Sequence, residues 1–126
     1  MELDFINNVN EFDESVVRLY NFNKEEAILF RDLIKTVIIE NTTRLDLSKV
    51  PFIENRNCNL ILGHFKTDEG ILSSDHKTFY CALTKEAYIT IISLLEPFCT
   101  KETKGYQYLY DIDNPIDFLF SPAGTW

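Results

Sequence analysis

The sequence predicts an α+β fold: a mostly antiparallel β-sheet of about five to six strands with two amphipathic helices packed on one face. Three observations carry this expectation. Two segments repeat one grammar of apolar strand, capping residue and amphipathic helix: Val16 to Phe22, Asn23 and Lys24-Glu25-Glu26-Ala27, then Phe79 to Leu83, Thr84 and Lys85-Glu86-Ala87. The remaining apolar runs are short and punctuated by turn residues. Connections this short join strands as hairpins, which makes pairing antiparallel and leaves the helices to cover a sheet. The predicted order is β-α-β(β)β-α-ββ.

Residues 1–13 are polar and Asn-rich, with Phe5, Ile6 and Phe12 as anchors. They read either as a mobile arm or as a first strand around Leu3 to Ile6. Val16 to Phe22 is rich in β-formers and reads as a strand. Asn23 then caps a helix, with Glu26 three residues on to complete a capping box and Phe22 with Ala27 at the staple positions. At 100° per residue, Ala27, Phe30, Leu33, Ile34, Val37 and Ile38 share the buried arc. Lys24, Glu25, Arg31, Asp32 and Lys35 share the wet one, and Ile28 and Ile39 fall among them. The helix is expected to end near Glu40.

Thr43 to Leu47 alternates as a short edge strand would. Pro51 forbids a central strand and pushes Val50 toward extended geometry. Cys58 to Phe65 reads as a strand, with Gly63 marking a bulge or a close backbone approach. Thr67 to Gly70 is a turn, Ile71-Leu72 a short return strand and Thr78 to Leu83 a further strand. Thr84 caps the second helix, whose buried arc is Ala87, Tyr88, Ile91, Ile92, Leu94 and Leu95, and Pro97 marks its expected stop. Tyr106 to Ile112 and Ile116 to Phe120 form a hairpin around Asp113-Asn114-Pro115. Residues 121–126 are an irregular tail. The two strand–cap–helix units hint at a repeat, but the matched positions are too few to predict a duplication.

The length of 126 residues argues one domain, residues 1–126, and an apolar fraction of 45% supplies its core. Twelve Lys and Arg against twenty Asp and Glu give a net charge of −8. Nucleic acid and anionic membranes are disfavoured as partners, since both are held by clustered bases. A basic protein is the favoured one. The start lacks the basic and apolar segments of a signal peptide, and no run reaches the ~20 apolar residues of a membrane span. Cys58, Cys81 and Cys99 form an odd set without C-x-x-C spacing, which predicts reduced, buried thiols in a cytoplasmic protein.

Tests for chemistry return little. His64 and His76 flank a turn with Asp68, Glu69 and Asp75, but the spacing matches no metal-ligand grammar. Asp111 to Asp117 lacks the glycine and the final glutamate of a calcium loop. No phosphate-binding, dinucleotide-binding or nucleophile-elbow motif is present. No cofactor, metal or catalytic residue is therefore assigned, and a non-enzymatic chain is expected. The candidate interface residues are the unexplained apolar ones: Ile28 and Ile39 on the wet helix face, Tyr106, Tyr108 and Tyr110 alternating on the last hairpin, and Trp126. On that hairpin either the tyrosines pack the core while Gln107, Leu109 and Asp111 face out, or the reverse. The expected function is a protein-binding module, most concretely an acidic inhibitor of the immunity or antitoxin type that masks a basic partner, with a homodimer as a further expectation. The alternative is a small-ligand-binding domain or small enzyme using a pocket between sheet and helices.

Overall fold

The computed structural model describes residues 1–7, 15–102, 104–110 and 116–122. In chain order it contains β1 (Glu2–Ile6), β2 (Ser15–Tyr20), α1 (Lys24–Leu33), a π-helical continuation (Ile34–Glu40), β3 (Leu45–Asp46) and a 3-10 turn (Leu47–Lys49). Then come β4 (Glu54–Asn55), β5 (Asn59–His64), β6 (Gly70–Leu72), β7 (Thr78–Leu83), α2 (Lys85–Thr100), β8 (Gln107–Tyr110) and β9 (Ile116–Ser121).

The fold class is α+β, but the single, mostly antiparallel sheet is corrected. The strands form two mixed sheets, ordered β4-β1-β2-β9-β8 and β3-β5-β7-β6. The expected final hairpin forms, β8 with β9, and β1 with β2 and β6 with β7 also pair antiparallel; β6 does not return on β5 but lies across β7 from it. Parallel pairs then join them, β2 to β9 and β5 to β7, with β4 added parallel to β1. The physical reason lies in burial. The most apolar strand of each hairpin gains most from a central position, and strands buried at a sheet centre suit parallel pairing. Val17 and Leu19 thus sit beside Phe118 and Phe120, and Leu60 and Leu62 beside Phe79 and Cys81. All eight are buried in one continuous core shared by both sheets and both helices.

The two sheets have matching connectivity. Chain segment β1-β2-α1-β3-β5 corresponds to β6-β7-α2-β8-β9, and each half gives its last two strands to the other half's first hairpin. The doubled strand–cap–helix grammar is therefore repeated at the level of topology.

Both helix starts form as the capping residues dictate. The Asn23 side chain accepts from the Glu26 amide at 2.9 Å, and the Glu26 carboxylate accepts from the Asn23 amide at 3.2 Å. The Thr84 hydroxyl accepts from the Ala87 amide at 3.2 Å. Two helix details depart from expectation. From Ile34 the first helix widens to π geometry, because five of its next seven residues (Ile34, Thr36, Val37, Ile38 and Ile39) are β-branched and crowd an α-helical turn. Helix α2 runs through Pro97 to Thr100, because buried Phe98 and Cys99 hold the last turn against the core. Gly63 causes no bulge, since β5 and β7 stay in register through it. It marks a close approach instead: the Tyr88 hydroxyl accepts from the Gly63 amide at 3.0 Å, and the Arg44 stem lies over the glycine's other face.

Candidate binding face

The register of the four-stranded sheet sorts its residues into rows. Leu45, Leu62, Cys81 and Ile71 are successive partners across the strands and all are buried. The neighbouring row, Asp46, Ile61, Tyr80 and Leu72, points to the opposite face. The row beyond holds Gly63, Ala82 and Gly70, a trough of small side chains across which Arg44 lies: a Cβ built on Gly63 would meet the Arg44 Cγ at 3.5 Å. Phe65, just past the end of β5, forms one wall.

A solvated sheet face normally alternates to polar residues on its wet side. Here Tyr80 is 44% exposed, Leu72 46% and Phe65 49%, three of the six most exposed large apolar side chains among the described residues. A cavity of about 240 Å³ lies among them. A second, larger groove of about 790 Å³ opens between the π-helical part of the first helix and the segment from β3 to Phe52. Leu29, Leu33, Val37, Val50 and Phe52 line it together with Asp32, Asp46, Lys49 and Arg44. Arg44 and Ile61 border both cavities, so they form one continuous strip.

Charge on the strip is uneven. Asp46 is satisfied internally: burial pushes its carboxyl up, but hydrogen bonds from Asn59 and Ser48 outweigh that and hold its pKa below the usual value. Of the four arginines, Arg18 pairs with Asp4, Arg31 with Asp32 and Glu96, and Arg56 with Glu54 and Glu2. Arg44 has no carboxylate partner among the described residues.

The residues singled out from sequence lie elsewhere. Ile28 and Ile39 are partly buried and pack against the core, so their assignment to a wet face is corrected. Helix α1 has α2 beside it as well as the sheets, with Arg31 and Glu96 bonded at 3.1 Å, so its buried arc is wide enough to take in Ile28. Ile39 lies in the π segment, where each residue advances by less than the α-helical 100° and swings back toward the core. The exposed apolar residue of this helix is Leu29.

The tyrosines do not share one face. A register shift between Tyr108 and Tyr110 sets Tyr108 opposite Leu119 and Tyr110 opposite the buried Phe118. Leu109 is buried, Tyr110 packs on the core, and half-exposed Tyr106 meets the Tyr108 ring edge-on at 5.9 Å. Trp126 and the turn at 111–115 lie outside the described residues, as do Phe12 and most of the segment tested as a calcium loop.

The histidines do not converge. His64 sits beside Leu83 at the far end of the β5/β7 pair, whereas His76 precedes Thr78 at the near end and stacks on Phe79. Five steps along the strand, from Thr78 to Leu83, separate those ends, roughly 17 Å. Among the described residues no group of three or more His, Cys, Asp or Glu could hold a metal. The cysteines are all buried. Burial pushes the Cys58 and Cys81 thiols up to about 12, which makes them poor nucleophiles.

Sequence reasoning missed Arg44, Phe65, Leu72 and Tyr80. The signal was present in β7, where Phe79 and Tyr80 make adjacent positions, and hence both faces, aromatic. No helix among the described residues is long and apolar enough to cross a membrane. The chain matches no protein-family model and no curated protein.

Proposed function

We propose that the chain is a non-enzymatic protein-binding module that docks through the outer face of the four-stranded sheet. The observation that supports this is the apolar row and wall formed by exposed Phe65, Leu72 and Tyr80 with half-buried Ile61. Phe65, Leu72 and Tyr80 together expose roughly 250–300 Å², and covering that area would contribute about 7 kcal/mol at 25 cal/mol per Å². This is comparable to the rigid-body freedom lost on association, so a partner must add further contacts or charge. In its most concrete form the module is an acidic inhibitor of the immunity or antitoxin type, whose net charge of −8 draws a basic partner. The test is capture of host proteins on the wild type and on Tyr80→Lys with Leu72→Lys. A basic protein retained by the wild type, lost on the double variant and weakened by salt supports the reading. Identical capture by both refutes it. Two copies pressing this face together would be a homodimer, and sedimentation equilibrium on the same two proteins distinguishes that case.

A second reading has its own observation. The 790 Å³ groove falls within the size range of small-ligand sites and is mainly apolar. A small-ligand-binding domain would take its ligand there, and Val37→Trp, which fills the groove, would abolish binding while leaving the outer sheet face intact.

A further inference from the structure

We propose that Arg44 is the polar anchor of this face, and that the occupant is a short segment of a protein partner carrying a carboxylate between apolar side chains. The inference rests on the protein-docking reading above and adds the chemistry of the segment. Three observations converge on it. Arg44 lines both cavities, so a chain lying along the strip must pass it. Each of the other three arginines is held by a carboxylate, in a chain with twenty of them, while Arg44 has none among the described residues. The Arg44 stem lies over Gly63, at one end of the row Gly63, Ala82 and Gly70, and Arg44, Gly63 and Ala82 line one cavity together.

A guanidinium offers a planar fork of donors that matches a carboxylate. On the sheet side its surroundings strengthen that match, since Ile61, Phe65, Leu72 and Tyr80 would exclude water once covered, while Asp32, Asp46 and Lys49 share the groove on the helix side. The overall charge of −8 and this local site act at different ranges. The first draws a basic partner over distances near the screening length, while the second selects which of its segments seats.

The experiment pans displayed random short peptides on the full chain, then measures binding of the enriched peptide as a synthetic probe. The expected peptide has Asp or Glu flanked by Leu, Ile, Phe or Trp. Arg44→Gln should weaken its binding tenfold or more, the loss expected for one charge-assisted pair. Arg44→Lys should recover part of that loss. Gly63→Leu, which fills the trough and displaces the Arg44 stem, should weaken binding similarly with the charge retained. Thermal melts confirm that each variant is folded. If Tyr80→Lys abolishes binding but Arg44→Gln does not, the anchor is wrong and the docking face stands. If neither variant weakens binding, the docking face fails as well. No peptide enrichment, with Arg44-dependent binding of dodecanoate, would overturn the peptide occupant in favour of a small amphiphilic anion.

Discussion

The Tyr88 hydroxyl offers the sharpest test of the two-sheet architecture. Tyr88 rises from α2 and is fully buried beneath β5 and β7, the parallel pair that a simple hairpin sheet would not contain. Its oxygen accepts from the Gly63 amide and donates to the Cys81 carbonyl, with the Gly63 carbonyl also within 3.0 Å. Burial raises the phenol's pKa strongly, so it stays neutral and able to donate. Tyr88→Phe keeps the ring and removes only the oxygen. The Gly63 amide and the Cys81 carbonyl keep each other through the β5/β7 ladder, whose repeat runs from Asn59 N–Lys77 O to Phe65 N–Leu83 O, and they lose the additional bonds to the hydroxyl. At a net of about 0.5–1.5 kcal/mol for each hydrogen bond removed, the variant should lose about 1–2 kcal/mol. For 126 residues the unfolding entropy is on the order of 0.26 kcal/mol per kelvin, so the midpoint should fall by about 4–8 °C. Urea melts followed by tyrosine fluorescence and far-UV circular dichroism measure the loss directly. A change below about 0.5 kcal/mol would mean that the hydroxyl bridges nothing, and would refute the placement of α2 over the parallel pair.

Other outcomes follow from the same geometry. Asn23→Ala should cost about 1 kcal/mol in a urea melt because it breaks a reciprocal cap, and Thr84→Ala should cost a similar amount. Ile28→Lys with Ile39→Lys should destabilise the fold by about 2 kcal/mol or more, since both side chains pack on the core; a double variant that melts like the wild type would return them to the surface. In native protein at pH 8, Ellman's reagent should leave Cys58 and Cys81 unmodified while urea exposes all three thiols, and rapid native reaction of either would contradict their burial. The Asp46 carboxyl has a folded pKa below its ordinary 3.8, so its stabilisation is present above that value and lost as pH falls through the folded one. The gap in urea midpoint between wild type and Asp46→Asn should therefore narrow below about pH 4, and a gap unchanged down to pH 2 would show that the pKa is not lowered.

Local structure was legible in the sequence where one residue type does one job. Asn23 and Thr84 announce helix starts because a side-chain oxygen there satisfies an amide that the helix leaves open. The hairpins β6/β7 and β8/β9 were legible because polar turns separate apolar runs. Pairing between hairpins was not, because any apolar strand can neighbour any other, and the choice of β9 beside β2 depends on total burial. The helix face failed at Ile39 for a related reason. A 100° wheel presumes α geometry, and the run Thr36-Val37-Ile38-Ile39 changes the turn itself. The tyrosine ladder failed at a bulge, which moves every later side chain in the strand and leaves no composition mark in Gln107-Tyr108-Leu109-Tyr110.

The candidate face was hidden because its residues look like ordinary core. Ile61, Leu72 and Tyr80 belong to strands whose alternate residues are buried, and only the register shows that they form the outer row. Comparison with the matching sheet sharpens the point. There, Asp4 and Arg18 form a two-pronged ion pair at 3.0 and 2.7 Å on strands β1 and β2, and Arg18 lies 3.8 Å from the centre of the Tyr20 ring. That arrangement satisfies its own charges. On the other sheet the apolar row contributes nothing to the core, and Arg44 has no carboxylate among the described residues. An exposed apolar row promotes unwanted association, a hazard that a net charge of −8 offsets by repulsion between copies. If the proposed docking function holds, the same repulsion would weaken self-pairing and favour a basic partner over a second copy of the chain.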